Sequence, residues 1–373
     1  MMPASVLYLL AGILLTIFVV VGIHEAGHFF MARLLNIRVT RFSLGFGRPL
    51  LSLRDRRNTE FVIAAIPLGG YVSLLEERDA TSAEKPWVFT RQPLWKRFLV
   101  IAAGPATNLL FALCLYWIIF TVGFVSILPV TGNITPHSIA AEAGLQKNLR
   151  ITHVDNRSVH GWMGVVIRVL NHAGEHDTLT VTAEPVHGHK ARTYTLDLAH
   201  WKLDPLKPDL FGSLGITPWL PKTFHTAAKE SLPQWILYEN KYPPLQAFAH
   251  AWQNTSDFTL LNLRMAGRML TGQLSLKNLG GPISIFGEAG AALQNGIISF
   301  MSFLAFLSIA VGIINIFPIP GLDGGHLLFQ VVEAILRRPI PERFMALFYR
   351  LGLLFIILIS LQAVLNDLMR LGK

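Results

Sequence analysis

The chain has 373 residues, 52% of them apolar and only 15% charged, with a mean hydropathy of +0.45. Soluble domains carry about a quarter charged residues, so the composition points to the membrane. The formal charge of +9 reads as basic residues flanking membrane spans, with no nucleic-acid partner, and a single cysteine, Cys114, excludes a disulfide framework and a cysteine-based zinc site.

The first span covers residues 1–35 and is apolar from Val6 to Leu35. It has no Lys or Arg before Arg33, which fits a cleaved signal peptide poorly. Its end carries His24-Glu25-Ala26-Gly27-His28. Ionisable side chains inside a bilayer are costly and usually functional. The spacing puts both imidazoles on one helical face, where they can share a tetrahedral Zn²⁺. Glu25 beside them is suited to take a proton from water on the metal.

Residues 36–97 carry eleven Lys and Arg, which assigns them to the cytoplasm. Two apolar, partly alternating runs flank the polar "RDRRN", the pattern of a hairpin or small sheet. Gly45, Gly47, Gly69 and Gly70 mark tight turns or close backbone approach. Ile63 to Ile66 are too apolar for a solvated loop, so the sheet is expected to dip into the membrane edge beside the first span. The second span follows at 98–128, with Cys114 read as a packing residue.

Residues 129–221 alternate short strands with helical stretches at Ser138–Ala143 and Trp162–Asn171, then pass a hairpin at 187–190. The runs "PHSIAAEAGL" and "ITHVDNRSV" resemble a PDZ domain of the kind found in bacterial membrane proteases. "QKNLR" stands where such domains have a Gly-Asp turn, so peptide binding and plain restriction of access both remain open. Residues 222–295 form an amphipathic helical region. Phe248, Trp252, Thr255, Phe258 and Leu261, broadened by Leu263 and Met265, repeat at helical spacing. This helix lies near the membrane surface or packs on the preceding domain. Ten of the 13 histidines fall in 129–295 and are read as solvated, His187 and His189 in a turn.

The third span is 296–317, followed by a loop at 318–343 and the fourth span at 344–367. Arg337, Arg338 and Arg343 make that loop cytoplasmic, so both termini and 129–295 lie outside. Pro318 and Pro320 break the third helix, and Gly321, Gly324 and Gly325 let the backbone turn back. Asp323 and His326 then fall on the same side as His24 and His28. A catalytic zinc wants a third ligand. Asp323 is the first choice, with His326 an alternative ligand or a supporting residue; Glu288, before the third span, is a further carboxylate at that depth.

His24–His28, "GPATN" (104–108) and "NIFPIPGLDGGH" (315–326) resemble the site-2 protease family of intramembrane zinc metalloproteases, in its bacterial RseP-type branch. "RFSLGFG", "IPLGGYV", "NLGGPISI" and the order of four spans extend the likeness over nearly the whole chain. The resemblance implies a polytopic α-helical membrane protein with four transmembrane helices, a membrane-associated cytoplasmic β-loop and an extracytoplasmic α+β PDZ-like domain. It implies Zn²⁺ held by His24, His28 and Asp323, with Glu25 as the base. Asn315, Asn108, Pro318, Pro320, Gly69 and Gly70 are implied to handle substrate or support the site, and the β-loop within 41–75 to receive substrate as an added strand. Implied substrates are single-span proteins of the anti-sigma-factor type and remnant signal peptides, cut by a monomer among the lipids of the bacterial inner membrane. One departure stands out: that branch carries two tandem PDZ domains, and only one fits here. A transporter would show repeated halves, and none is visible.

Overall fold

The computed structural model describes residues 4–186, 188, 190–202, 209–219, 233–275, 277, 280–338 and 340–371. Two compact units divide the chain: Met1–Ile119 with Gly281–Val364, and Phe120–Gly280 with Leu365–Lys373. Among the described residues, four helices are long and apolar enough to cross a membrane, at Ser5–Leu34, Leu94–Val122, Ile297–Ile316 and Arg343–Arg370. In the most apolar stretch of the first only 17% of residues are buried, and 6% in the last, as lipid-facing helices require.

In the first unit, α1 (Ala4–Leu34) runs into two long strands, β1 (Val39–Arg54) and β2 (Glu60–Leu74). Each strand bends. Arg41–Leu44 pairs with Glu60–Ile63 in ascending register on one side and with Gly70–Ser73 in descending register on the other. Pro49–Arg54 pairs with Glu60–Ala64, so four short segments lie side by side in the order 49–54, 60–64, 39–44, 70–74. The outer two are edges. Phe29, Ala32, Ile37, Val39 and Val100 bury the sheet against α1 together with Phe42, Phe61, Val72 and Leu74. Arg33, in the last turn of α1, pairs with Asp55 and donates to Thr59 (2.9 Å), while Asp55 Oδ1 caps the turn by accepting from the amides of Arg57 and Thr59.

The second span is α2 (Leu94–Val122), shorter at its end than the expected 98–128. Gly123, at φ +91°, stops the helix, and Phe124–Ile127 forms β3, whose β-branched and aromatic residues take a strand partner instead. Cys114 is exposed on this helix, not packed as expected.

The second unit continues with β4 (Thr131–Ile134), α3 (Ile139–Glu142), β5 (Leu149–Val154), β6 (Arg157–Ser158), α4 (Trp162–Leu170), β7 (Thr178–Pro185), β8 (Arg192–Asp197), α5 (Leu210–Leu214), β9 (Ile216–Pro218), β10 (Leu237–Asn240) and α6 (Pro244–Leu270). Its main sheet has the order β6-β5-β7-β8, and β4 pairs with β9 and β3 with β10. Ile151, Val154, Leu179, Val181, Leu196 and Leu198 supply an almost fully buried core. Both expected helical stretches are present as α3 and α4, and α5, capped by Asp209, is an addition. His187, His189, Pro221 and His225 lie outside the described residues.

The stripe expected on α6 needs correction. The buried positions are Ala247, Ala251, Thr255, Phe258, Leu261 and Arg268, whereas Phe248, Trp252 and Leu263 are exposed. Small alanines form the close seam and the large rings fall beside it. Farther along, Met265 and Met269 pack against the core of the α+β domain. His172 is also not a solvated histidine; its ring is held between Asp155 and Asp177.

The region 222–295 is not one body. Residues up to Gly280 go with the second unit, while α7 (Pro282–Gln294) belongs to the first and packs on α1. A Cβ on Gly12 would come within 2.7 Å of the Ala289 carbonyl oxygen, so small residues set this seam. The third span is α8 (Ile297–Ile316). The expected loop at 318–343 holds a 14-residue amphipathic helix, α9 (Asp323–Leu336), before α10 (Glu342–Leu371).

Candidate metal centre

His24, Glu25 and His28 sit on one uninterrupted helix, α1, so the i, i+4 spacing fixes both imidazoles on one face. Each histidine is 8% exposed, and their rings meet edge to face with centroids 4.9 Å apart. Asp323 arrives from the other end of the unit's sequence. Pro318 and Pro320 prevent α8 from continuing, and the chain re-enters helix with Asp323 as the first residue of α9. A carboxylate is favoured there by the helix dipole.

Three atoms converge. His24 Nε2 and His28 Nε2 are 3.3 Å apart, and Asp323 Oδ2 lies 3.1 Å from the first and 3.2 Å from the second. A tetrahedral ion with bonds of roughly 2.0–2.1 Å has ligand–ligand edges of about 3.3 Å. His28 Nδ1 donates to the Val100 carbonyl (2.8 Å), which fixes the tautomer and leaves the Nε2 lone pair facing the cluster. Asp323 Oδ2 and His24 Nδ1 are buried without a hydrogen-bond partner. A buried carboxylate oxygen with no donor, facing two imidazole nitrogens, is what a shared cation would satisfy. Two nitrogens and one oxygen suit Zn²⁺.

Gly104 makes room for this cluster. A Cβ there would collide with His28 Nε2 and come within 2.9 Å of His24 Cε1. Glu25 lies toward the sheet. A Cβ on Gly70 would sit 3.1 Å from Glu25 Cγ, and the Val72 backbone amide acts on its carboxylate. The edge segment 70–74 therefore passes directly beside Glu25.

The remaining expected residues divide. Asn108, one turn beyond Gly104, is fully buried and neither side-chain amide atom has a partner, while its backbone carbonyl accepts from Ser308 (3.0 Å). Asn315 donates to the Val311 carbonyl of its own helix (3.1 Å). Pro320 packs on Gly352 of α10, and Pro318 is exposed. Gly69 lies under Phe46, where a Cβ would come 2.7 Å from the ring. His326 turns away to the Tyr349 hydroxyl (2.8 Å), and Glu288 is exposed; neither joins the cluster. Sequence reasoning missed Val100, Gly104 and Tyr349 as supports. Only Gly104, a glycine inside a span, left a signal.

The chain matches Peptidase family M50 over residues 12–359. It is 33% identical to the regulator of sigma E protease of Salmonella typhi, over 98% of this chain and all of that protein. The regulator of sigma-E protease RseP of Escherichia coli is 32% identical over the same shares. A Vibrio cholerae relative described as a zinc metalloprotease is 30% identical, over 95% of this chain and 96% of its own. Family, donor set and geometry agree, and the chain belongs to the site-2 protease family M50, as a multi-pass membrane zinc metalloprotease.

Proposed function

We propose that this protein hydrolyses peptide bonds within the transmembrane segment of single-span membrane proteins. The observation that carries the reading is that His24 and His28, set inside a membrane-crossing helix, meet Asp323 of α9, with Glu25 between that cluster and a sheet edge. A substrate helix hides its amides in its own hydrogen bonds, so it must unwind to be cut. Pairing with the edge 70–74 would satisfy the freed groups and lay the chain past Glu25.

His24 Nε2, His28 Nε2 and Asp323 Oδ2 would hold Zn²⁺, which when bound polarises the scissile carbonyl and acidifies water. Glu25 takes the proton from the attacking water and delivers it to the departing amine nitrogen. The Val100 carbonyl orients His28, and the strand edge at Gly70 borders that carboxylate. The unpartnered Asn108 amide supports the site from α2 by donating to substrate. Asn315, Pro318 and Pro320 shape the return that delivers Asp323, and Gly69 and Gly70 keep the strand edge close to α1.

The Salmonella and Escherichia relatives are named as regulators of sigma E, so the reading extends to anti-sigma-factor-type substrates, with remnant signal peptides as a second group. The protein would act as a monomer in the bacterial inner membrane, with both termini and the PDZ-like domain (129–221) outside, recognising or excluding substrates. The alignments to the relatives span 449 positions against 373 residues here, consistent with one such domain where the relatives are longer. The first turns of α6 lie at the bilayer surface. Tyr242 N–H bonds the Phe120 carbonyl at the end of the second span (3.0 Å), and Leu245, Phe248 and Trp252 are exposed.

The test is cleavage of a tagged single-span substrate in membranes by the intact protein and by Glu25→Gln. Loss of cleavage by about 10²–10⁴-fold with bound zinc retained is expected. Cleavage surviving the substitution would remove Glu25 as the base.

A further inference from the structure

Level with the last turn of α1, the sheet carries a row of polar side chains across all four segments. Arg54 pairs in register with Glu60, Glu60 with Arg41, and Arg41 with Ser73. The grip of Arg33 on Asp55 and Thr59 fixes that level. With Arg38 and Asn58 the row lines a pocket of about 470 Å³. Its charges do not balance. Three guanidinium groups share the pocket with one carboxylate, Glu60. Arg41 contacts Glu60 through Nε (2.9 Å) and Nη2 (2.7 Å), and Arg38 is turned toward Glu84 (2.5 Å). The Arg54 side chain makes no ion pair or hydrogen bond among the described residues and acts on Glu60 only as a more distant charge, and its segment is a sheet edge.

The same edge turns apolar next to the pocket. Leu50, Leu51 and Leu53 are 72%, 53% and 63% exposed. Three large leucines on one edge strand are unfavourable in water and at home among acyl chains. The depth scale is internal to the unit. A Cβ on Gly22 would contact Leu44, and one on Gly70 would contact Val21, so the sheet runs alongside α1 from the level of Glu25 to the end of the span. The leucines then face the bilayer interior while the arginine row stands where the span leaves it.

We propose that this pocket seats the phosphate of an anionic phospholipid headgroup. Guanidinium forks match phosphate oxygens, and the Ser73 and Asn58 side chains add neutral donors. A phosphate between Arg54 and Arg41 joins the outer segment 49–54 to the segment that pairs with 70–74, the strand beside Glu25. A bound anionic lipid therefore anchors the sheet that borders Glu25. This rests on the membrane placement of the sheet and not on the proteolytic reading.

The experiment is native mass spectrometry of the full chain released from bilayers of phosphatidylcholine and phosphatidylglycerol, counting retained phosphatidylglycerol. Arg54→Gln is compared with Arg57→Gln, which removes the same charge from the exposed turn outside the pocket. Arg54→Gln is expected to lower retention about fivefold, and Arg57→Gln by less than about twofold. Arg54→Lys, which keeps the charge and loses the fork, should fall between them and guards against a variant that misfolds; unchanged bound zinc reports the fold. Equal losses at Arg54 and Arg57, or no loss at either, would overturn the site. Displacement of the lipid by inorganic phosphate, but not by chloride at the same ionic strength, would assign the pocket to a free oxyanion and overturn the lipid. Retention is read without substrate, so failure of proteolysis leaves this result standing.

Discussion

Two histidine–carboxylate clusters occur among the described residues, and they are built on opposite principles. In the membrane unit, His24 Nε2 and His28 Nε2 both face one oxygen, Asp323 Oδ2, which has no hydrogen-bond partner. In the second unit a single ring, His172, is given two carboxylates: Nε2 meets Asp155 at 2.7 Å and Nδ1 meets Asp177 at 2.8 Å. Asp155 is satisfied again by the Thr180 amide and hydroxyl (both 3.2 Å). Each ring nitrogen of His172 donates once to its own acceptor, so a proton completes that cluster. Two nitrogens aimed at one oxygen leave lone pairs facing one another, and a proton cannot serve all three. Residue type is nearly the same in both clusters. The direction of the lone pairs separates a metal site from an ion pair.

The largest test of this contrast is exchange of the carboxylates. Asp323→Ala should remove bound zinc and proteolysis together, by more than the roughly 10–100-fold that loss of a mere supporting partner costs. Asp177→Ala should leave the zinc content of the purified protein unchanged. Zinc retained in Asp323→Ala would break the comparison. Gly104→Ala comes next, because its methyl would occupy the space of His28 Nε2. Zinc affinity is expected to fall by about 10–100-fold with the span still inserted, measured by competition with a chelator.

The third test is pH. The hydrogen bond to Asp155, with that to Asp177, raises the His172 pKa from 6.5 to about 9 against the opposing effect of burial. A folded value above the unfolded one means that the added stability is fully present below pH 6.5 and is lost as pH rises through about 9. Partly exposed carboxylates limit the gain to about 1 kcal/mol. The protection of amides in the 155–180 region of the full chain, corrected for base-catalysed intrinsic exchange, should therefore fall between neutral and alkaline pH, and His172→Gln should abolish that fall. Corrected protection that stays constant with pH in the intact protein would show that His172 is not held as a cation. The smallest effect is expected for Tyr349→Phe, which frees His326 from its hydroxyl partner. It should cost about 1 kcal/mol of stability and leave bound zinc unchanged, since His326 stands outside the cluster.

Much of the site is legible in the sequence alone. His24, Glu25 and His28 announce themselves because ionisable residues are expensive within a span, and Asp323 follows because topology returns it to the same side. The boundaries that went astray share one cause. Phe124–Ile127 looks like the end of a span, but an apolar run of β-branched and aromatic residues is equally a strand once β10 offers its backbone. On α6, Phe248 and Trp252 drew the expected stripe because they are large, whereas the buried seam runs through Ala247 and Ala251. Periodicity reports that one face is apolar, not which neighbour lies close enough to require small residues.

The sequence by itself determined the four spans, the hairpin around "RDRRN", the α+β segment and the i, i+4 histidines. Those follow from composition, periodicity and the cost of polar groups in lipid, all local or one-dimensional properties. Tertiary structure alone decided that Val100 fixes the His28 tautomer, that Gly104 clears the space for both rings, and that the edge 70–74 runs beside Glu25. It also decided that His326 turns to Tyr349 and that His172 receives two carboxylates. Such contacts join residues far apart in the chain, and the direction in which a side chain presents its lone pair or proton exists only once those segments are packed.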